Sequence, residues 1–496
     1  MSAAKRNPSK YLCLILAGVV FGALALGVSS CGSQTSKPAA VEDLSGMPWS
    51  KAFEKLNEKI EREYAFTQWK GIDWEALYDR YRVPVERAEA AHDFKAYYMA
   101  LRAYLFSIPD AHVMMSGDDR GIEQEAVGGG FGVVVMKLDD GEVVAARVSD
   151  GGPAAAAGMR AGARIIRWGG KPVIKAMEET STLLAKATQA THEERTYEQL
   201  RFLVRAPAGS ARAVTFKNLG ETINRSVALT AIDDNMETLD FTNPFYDVKK
   251  LLPQKMVETK VLQGNVGYVK VLAEADLPPG MTGDHTPTAV LFENAIDSFI
   301  KNKASGIVVD VRGNLGGDDA MVAQFLSSFC EDKTLYEYGN WYNAVSGKIE
   351  IWLGDDQTGD CTNPGTGLYI EPGETRYSGP VVALVNTGCV SSGEGVAMGV
   401  KNLPEGRVTG FWGTNGSFGM SGDTVKMPGE LTVSFPYGQS LDKNKVVQID
   451  SRDGVGGVSP NPRLPMTLDN AIMWGSGQDV VLEHALSLLG EAGNSR

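Results

Sequence analysis

Apolar residues recur at two different spacings along this chain. Between residues 45 and 120 they follow a helical period, as at Phe53, Leu56 and Ile60. This spacing predicts amphipathic helices that bury one face. From about residue 239 onward, short runs of β-branched residues alternate with helical patterns. Because such alternation is typical of strands joined by helices, we expect an α/β domain with largely parallel strands over residues 239–490.

A glycine-dense stretch separates these two regions. Residues 128–132 are followed by the β-branched run 133–135, and a second stretch, rich in glycine and alanine, covers residues 152–158. Two glycine patterns in this order, each next to strand-like runs, predict a small β-rich module over residues 123–233. The module would lie between the helical segment and the α/β core.

The order of these features resembles a PDZ domain, a module that binds the carboxyl ends of peptides. The resemblance implies that backbone amides of Gly130, Phe131, Gly132 and Val133 hold the terminal carboxylate of a peptide, which adds a strand beside them. The alternative interpretation is a degenerate module that serves only as a packing or hinge element.

The first thirty residues have the pattern of a targeting segment. An uncharged apolar run from Tyr11 to Leu26 follows a basic start and precedes small residues and Cys31. The basic residues are Lys5, Arg6 and Lys10. The stretch from Val28 to Cys31 resembles a bacterial lipobox, which implies cleavage of residues 1–30 and lipidation of Cys31. A plain signal peptide or an uncleaved anchor helix is the alternative.

A polar stretch of small residues follows Cys31 and predicts a tether over residues 31–44. The lipobox-like motif implies export to the bacterial cell envelope, with a membrane anchor and a domain that faces the periplasm. Gly32 stands where an aspartate would be associated with retention in the inner membrane. The outer membrane is therefore favoured.

Composition narrows the classes of partner. The chain has 496 residues, which is too long for one compact core, and its formal net charge is −13. Such an acidic surface repels phosphate backbones and argues against nucleic-acid binding. The cysteines left after loss of the leader and lipidation lack the spacing of a zinc site, so we predict no metal and no cofactor. They are Cys330, Cys361 and Cys389.

Two turns that follow predicted strands of the core carry candidate chemistry. The first follows the strand 306–311 and runs through Gly317; the second follows the strand 381–386 and contains Ser391 and Ser392. Parallel strands bring their carboxyl ends to one edge of a sheet, where ligands bind. A serine at a strand-to-helix turn exposes its hydroxyl there, and the helix offers free N–H groups to an oxyanion. Taken alone, either serine has the alternative role of capping the helix.

These two motifs, with a PDZ-like module upstream, resemble those of the carboxyl-terminal-processing and tricorn-core serine peptidases. The motifs here are Asp310–Gly317 and Asn386–Glu394. The resemblance implies an α/β fold with a ClpP/crotonase-like catalytic core, an N-terminal helical segment and an inserted PDZ-like β domain. Carried over by position, it implies that Ser391 is the nucleophile and that Gly316 and the amide of Ser392 are the oxyanion donors.

The base that the resemblance implies depends on the branch of the family. The carboxyl-terminal-processing branch uses a lysine, but the matching position here is Met420, whose thioether cannot take a proton at neutral pH. The tricorn branch uses a histidine from a turn that matches Asp110-Ala111-His112. We therefore expect His112 to be the base, with a purely structural histidine as the alternative. The segment from Lys70 to Trp74 also resembles the family's N-terminal region.

The acid that orients the base is expected shortly before the ending from Gly457 to Pro460, where the tricorn branch has a glutamate. No glutamate precedes this ending here. Asp453 is the candidate and Asp450 is the alternate, while either carboxylate has the alternative role of a solvated turn residue.

Taken together, these observations predict an exported, lipid-anchored serine endopeptidase that acts on protein or peptide substrates with help from the PDZ-like module. The alternative, from another functional class, is a catalytically inactive lipoprotein that binds peptides with the same fold, because Met420 replaces one known base. An esterase of the α/β-hydrolase type is disfavoured, because no G-x-S-x-G elbow surrounds Ser391.

Overall fold

The computed structural model describes residues 41–245, 255–278, 283–352 and 367–494 and has a mixed α/β architecture. The predicted leader, and with it the lipidation site at Cys31, lies outside these ranges. Within them, no helix combines the length and the apolar character that crossing a bilayer requires.

Helices dominate the amino-terminal region, as the apolar spacing predicts. Its elements are β1 (Glu42–Asp43), α1 (Trp49–Glu63), α2 (Thr67–Lys70), α3 (Trp74–Ala90), α4 (Phe94–Leu105) and β2 (Met114–Ser116). The buried faces of the helices share one apolar cluster with strands near the end of the chain, in which Phe53 and Leu101 lie with Val433. The helices therefore cover a sheet of the core instead of forming a core of their own.

A β-rich module follows the helices. Its elements are α5 (Ile122–Val127), β3 (Gly129–Gly130), β4 (Val133–Lys137), β5 (Val143–Val148), α6 (Pro153–Ala156), β6 (Arg164–Trp168), β7 (Lys171–Pro172), α7 (Val173–Glu178), α8 (His192–Leu203), β8 (Arg205–Ala206), β9 (Ala211–Lys217), β10 (Arg225–Thr230) and β11 (Ile232–Asp233). An antiparallel sheet has the order β10-β9-β6-β5-β4 with β7 on β6, and β3 lies between β11 and β8 in a smaller sheet. Phe131, Ile165 and Phe216 belong to the apolar core of the module.

The remaining residues form the core. Its elements are α9 (Glu237–Phe241), β12 (Val257–Leu262), β13 (Val266–Val271), α10 (Thr288–Lys301), β14 (Gly306–Asp310), α11 (Asp319–Ser327), β15 (Thr334–Asn343), β16 (Lys348–Trp352), β17 (Leu368–Ile370), β18 (Val381–Leu384), α12 (Ser392–Lys401), β19 (Gly406–Thr409), β20 (Gly419–Met427), β21 (Leu431–Leu441), α13 (Leu468–Gly475) and α14 (Val480–Asn494).

Parallel strands lie at the centre of this core, as predicted. The sheet has the order β12-β13-β14-β18-β19, and every pair except β12–β13 is parallel. All residues of β14 and β18 are buried, because helices cover both faces of the sheet. The carboxyl ends of β14 and β18 consequently lie side by side, which brings the two predicted turns together.

A second sheet of the core does not follow from the sequence pattern. Its order is β1-β20-β21-β15-β16, with β17 paired to β15 and β2 paired to β21. Strand β2 comes directly after the turn that contains His112, so its pairing with β21 anchors that turn to the core.

The same sheet corrects the predicted extent of the tether. Glu42 pairs with Val425 through parallel strands, and Leu44 is buried and donates its N–H to the Lys426 carbonyl at 2.9 Å. Residues 42–44 therefore belong to the folded domain, and the tether ends before them.

Candidate active site

Ser391 lies in the turn between β18 and α12 and has an unusual backbone conformation. Its φ is 58° and its ψ is −136°, a region that costs free energy for a residue with a side chain. Its side chain makes no capping hydrogen bond to α12, which removes the alternative role of a helix cap. The residue is only partly buried. The hydroxyl of Ser391 is therefore presented at the sheet edge and is not consumed by local structure.

Ser392 is used differently from its neighbour. It is almost fully buried, and its hydroxyl donates to the Gly317 carbonyl at 2.8 Å. This bond ties the start of α12 to the glycine turn after β14. Of the two adjacent serines, only Ser391 keeps a hydroxyl suited to attack.

The glycine turn after β14 is held by the side chain of Asn314. Its amide nitrogen donates to Glu274 Oε1 at 2.8 Å and to the Val271 carbonyl at 3.1 Å, while its oxygen accepts the Gly316 N–H at 2.8 Å. Asn314 and Glu274 are both fully buried. The turn is therefore rigidly placed by polar contacts made beneath it.

These contacts determine which backbone N–H groups near Ser391 are free to donate. The Gly316 N–H, predicted as an oxyanion donor, is already donated to Asn314. In the described part of the chain, the N–H groups of Gly317 and Ser392 have no acceptor. The Ser392 N–H, predicted as an oxyanion donor, is therefore free to donate, and in the glycine turn the free N–H is that of Gly317, next to the predicted Gly316.

His112 and Asp110 form a buried pair in the turn between α4 and β2. Asp110 Oδ1 accepts the backbone N–H of His112 at 2.9 Å and lies 3.5 Å from His112 Nδ1. The second oxygen of Asp110 accepts the Tyr64 hydroxyl at 2.8 Å. Burial alone would lower the pKa of His112, but the adjacent Asp110 carboxylate, with Asp450 and Glu394 farther away, raises it above its ordinary value of 6.5.

Ser417 joins the His112 turn to the Ser391 turn. Its hydroxyl accepts the Ala111 N–H at 2.9 Å, and its carbonyl accepts the Ser391 N–H at 3.0 Å. Ala111 also shares an apolar cluster with Val390, the residue before Ser391. The structure thus brings together the segments of the predicted nucleophile and the predicted base, which are distant in sequence.

Glu394 fixes the loop that contains Ser417. Its carboxylate accepts the Ser417 N–H at 2.9 Å, the Gly416 N–H at 2.8 Å and the Thr414 hydroxyl at 2.5 Å. Burial raises the pKa of Glu394 to about 7, although these hydrogen bonds oppose the shift. The sequence motif contains Glu394, but its role in holding the loop required the structure.

Asp450 belongs to the site and Asp453 does not. Asp450 is buried, and its Oδ2 accepts the Phe418 N–H at 2.8 Å. Burial raises the pKa of Asp450 to about 6, with the charge of Lys70 opposing the shift. The Asp453 side chain is 91% exposed and lies 3.8 Å from Arg452. The predicted orienting acid, Asp453, is therefore a solvated turn residue, and Asp110, two positions before the histidine, is the carboxylate that faces His112 Nδ1.

Lys70 is part of the same buried network, and sequence reasoning gave it no role. Its side chain is 1% exposed and its Nζ lies 2.5 Å from Asp450 Oδ1. Nζ also donates to the Pro109 carbonyl and to Ser451 Oγ, both at 2.9 Å. The resemblance of the Lys70–Trp74 segment to the family's N-terminal region pointed to this part of the chain. The residues that Lys70 contacts are distant in sequence, so spacing alone could not identify them.

Met420 lies beside β15, where a Cβ added to Gly339 would be 3.2 Å from its Cε. It pairs with Gly438 in the second core sheet.

No group of acidic, histidine or cysteine side chains in residues 41–245, 255–278, 283–352 and 367–494 is arranged to hold a metal ion.

The predicted carboxylate-binding loop of the module is buried. Gly130, Phe131, Gly132 and Val133 are all buried, and Gly130 is paired with strands on both sides. The carbonyls of Phe131 and Gly132 accept N–H groups of the module at 3.0 and 2.9 Å. These four residues are thus part of the buried, hydrogen-bonded structure of the module.

Comparison with known proteins follows the same division of the chain. Residues 265–461 match the model of peptidase family S41, and residues 48–96 match that of the tricorn protease C1 domain. The nisin-resistance protein of Lactococcus lactis subsp. lactis is 26% identical over 165 residues, which cover 33% of this chain and 48% of that protein. The match thus spans about half the length of this curated relative.

Solved structures share the fold. The crystal structure of mature CPAF superposes with a TM-score of 0.61 at 14% identity, over 90% of this chain and 98% of that chain. Mature CPAF complexed with lactacystin gives a TM-score of 0.58 at 14% identity, over 90% and 99% of the two chains. The resemblance predicted from the motifs is confirmed: residues 265–461 match peptidase family S41, behind a segment that matches the tricorn protease C1 domain.

Proposed function

We propose that this protein is an exported, lipid-anchored serine endopeptidase that hydrolyses peptide bonds of proteins or peptides, with Ser391 as nucleophile and His112 as base. The observation that carries the proposal is the conformation of Ser391. A serine is held at positive φ at a helix start, its side chain does not cap the helix, and a glycine turn lies against it. Backbone strain of this kind is maintained at functional sites.

In the proposed reaction, His112 accepts a proton and then donates it in each of two steps, acylation and deacylation. Ser391 Oγ bonds to the scissile carbonyl carbon while its proton passes to His112, and the N–H groups of Gly317 and Ser392 donate to the oxyanion. The imidazolium then gives that proton to the leaving nitrogen as the carbon–nitrogen bond breaks. Water then attacks the acyl carbon and loses its proton to His112, which gives that proton to Ser391 Oγ as the ester bond breaks and the carboxylic acid product leaves.

Asp110 is the proposed orienting acid. A carboxylate beside Nδ1 stabilises the imidazolium that forms when Ser391 loses its proton. The charge of Lys70 and the hydrogen bond from His112 outweigh burial and hold the pKa of Asp110 below its ordinary value of 3.8. Asp110 is thus an anion at neutral pH, as this role requires.

Membrane attachment and peptide capture belong to the proposal as predictions. The proposal of lipidation rests on the order of features at the start of the chain, where basic residues are followed by an apolar run and then by Cys31. Peptide capture by the PDZ-like module rests on strand β4, which lies at one edge of its sheet and offers a place for an added strand. Such capture requires that the buried Gly130–Val133 loop become accessible to the peptide.

A peptide-cleavage assay on purified full-length protein tests the proposed chemistry. Ser391→Ala and His112→Ala should each lower kcat by about 10⁴-fold, and the double variant should be little worse than either, because nucleophile and base act as a unit. Ser392→Ala is the matched control: it loses the bond to Gly317 but keeps the oxyanion N–H, so activity should fall by less than about tenfold. Ser391→Ala with wild-type activity would overturn the proposal, and an inert wild-type protein would favour the peptide-binding alternative.

A further inference from the structure

The helical region supplies a cation to the centre of the candidate active site. Lys70, the last residue of α2, has a side chain that is 1% exposed, and Asp450, with which it pairs at 2.5 Å, has a side chain that is fully buried. Lys70 also donates to the Pro109 carbonyl and to Ser451 Oγ, so it joins the segment before Asp110 to the segment after Asp450. Removing a lysine from water is costly, so its contacts must compensate for the lost hydration.

The contacts of Lys70 converge on the base. Pro109 precedes Asp110, and Asp110 holds His112 through its backbone N–H and faces its Nδ1. Tyr64, at the end of α1, donates to the other oxygen of Asp110. The helical region thus contacts the His112 turn from below at the Pro109 carbonyl and at the Asp110 carboxylate.

The cation also sets the charge around the base. The charged groups that influence His112 include Asp110, Asp450 and Glu394, and Asp319 also interacts with its charge. The Lys70 charge is the main influence that opposes burial at both aspartates, so it lowers the pKa of Asp110 and limits the rise in the pKa of Asp450. Without that charge, the buried carboxyl groups would repel one another with no cation between them, which raises the pKa of each.

We propose that Lys70 is a positioning residue of the active site, which locks the Asp110–His112 turn against Asp450. This inference rests on the proposed function, since it assigns His112 as the base. It also gives the tricorn C1-like segment a part in catalysis, although that segment contributes no reacting group.

The test compares Lys70→Met with Lys59→Met in the full-length protein. Lys59 is the matched control: it lies in the neighbouring helix α1, pairs with Glu63 at 2.6 Å and has a side chain that is 10% exposed. We expect Lys70→Met to lower kcat by about 10²-fold with KM within about twofold of wild type, because orientation of the base is lost while substrate contacts remain. Lys59→Met should leave kcat within about twofold of wild type, whatever it costs in Tm.

A second variant covers the case in which Lys70→Met does not fold. Lys70→Met combined with Asp450→Asn removes both charges of the pair and should restore folding, because no unpaired ion stays buried. Low kcat in a folded double variant supports the inference. A kcat within about twofold of wild type in either folded Lys70 variant overturns it. Absence of Ser391-dependent cleavage in the wild-type protein would instead refute the proposed function.

Discussion

Gly316 lies so close to Ser391 that no side chain fits between them. A Cβ added to Gly316 would be 2.4 Å from Ser391 Cβ and 3.1 Å from its Oγ, and Gly316 has φ of +80°. Both the space and the backbone conformation therefore require glycine at this position. The contact fixes the distance between the nucleophile and the amides that follow Gly316 in the turn.

Gly316→Ala should lower activity strongly for this reason. The added methyl group must displace Ser391 or the glycine turn, and a displacement of about 1 Å is enough to lower kcat by about 10²-fold. Gly347→Ala is the matched control, since Gly347 also has positive φ, at +67°, but has nothing within 4 Å of its added Cβ. Both variants carry the same backbone strain, so equal losses of kcat would contradict the account.

The pH dependence of kcat/KM should report His112. The base must be neutral to take the serine proton, so activity should rise with pH through the pKa of His112. Since that pKa is raised above 6.5, the midpoint of the acid limb should lie above 6.5. Asp110→Asn removes the main charge that raises it, so the midpoint should move to lower pH and the plateau should fall. A midpoint that does not move would remove Asp110 from the mechanism.

Glu274 should make the protein less stable as pH rises. Burial raises the pKa of Glu274 to about 8 from an ordinary 4.5, so the folded state keeps a proton that the unfolded state releases. Its contribution to the free energy of unfolding is complete below pH 4.5 and is lost as pH rises through 8. Glu274→Gln keeps the oxygen that accepts from Asn314 and cannot ionise. Between pH 5 and pH 9, its free energy of unfolding should therefore fall by about 4 kcal/mol less than that of the wild-type protein.

Chemical denaturation at a series of pH values measures this difference. Glu61→Gln, at an exposed position of α1, is the matched control and should keep the wild-type slope. If Glu274→Gln and Glu61→Gln show the same pH dependence, Glu274 does not hold a proton in the folded state.

Met420→Lys should not raise activity. In the proposed mechanism the proton goes to His112, and Met420 lies beside Gly339 in the second core sheet. A new lysine there has no step to perform, so kcat should stay within about threefold of wild type or fall. A gain in kcat on Met420→Lys, in a protein whose His112→Ala variant is as active as wild type, would show that His112 is not the base.

Much of the fold follows from local pattern, but contacts between distant segments do not. The strands β14 and β18 begin and end close to the ranges predicted from apolar spacing, because their patterning is local. The sheet of β20, β21 and β15 does not follow from the pattern, since β15 pairs with β21 across a long connection. Ser391 was found because its motif is continuous in sequence.

The supporting residues of the site show the same limit. Asp453 is a candidate because of its place before the ending turn, but its side chain is exposed whereas Asp450 is buried, a difference that sequence does not display. Asp110 could have been found, since an aspartate two positions before a histidine can bind that residue's N–H and face its ring. The choice between the amides of Gly316 and Gly317 depends on the Asn314 side chain and required coordinates.

The central claim is that Ser391 is an activated nucleophile. The most direct measurement is labelling of the purified full-length protein with a fluorophosphonate probe, followed by intact mass and peptide mapping. We expect one adduct on Ser391 in the wild-type protein, none in Ser391→Ala, and labelling slowed by at least about 10²-fold in His112→Ala, since the hydroxyl then lacks its base. No adduct on an intact, folded wild-type protein, or an adduct on Ser392, would contradict the account.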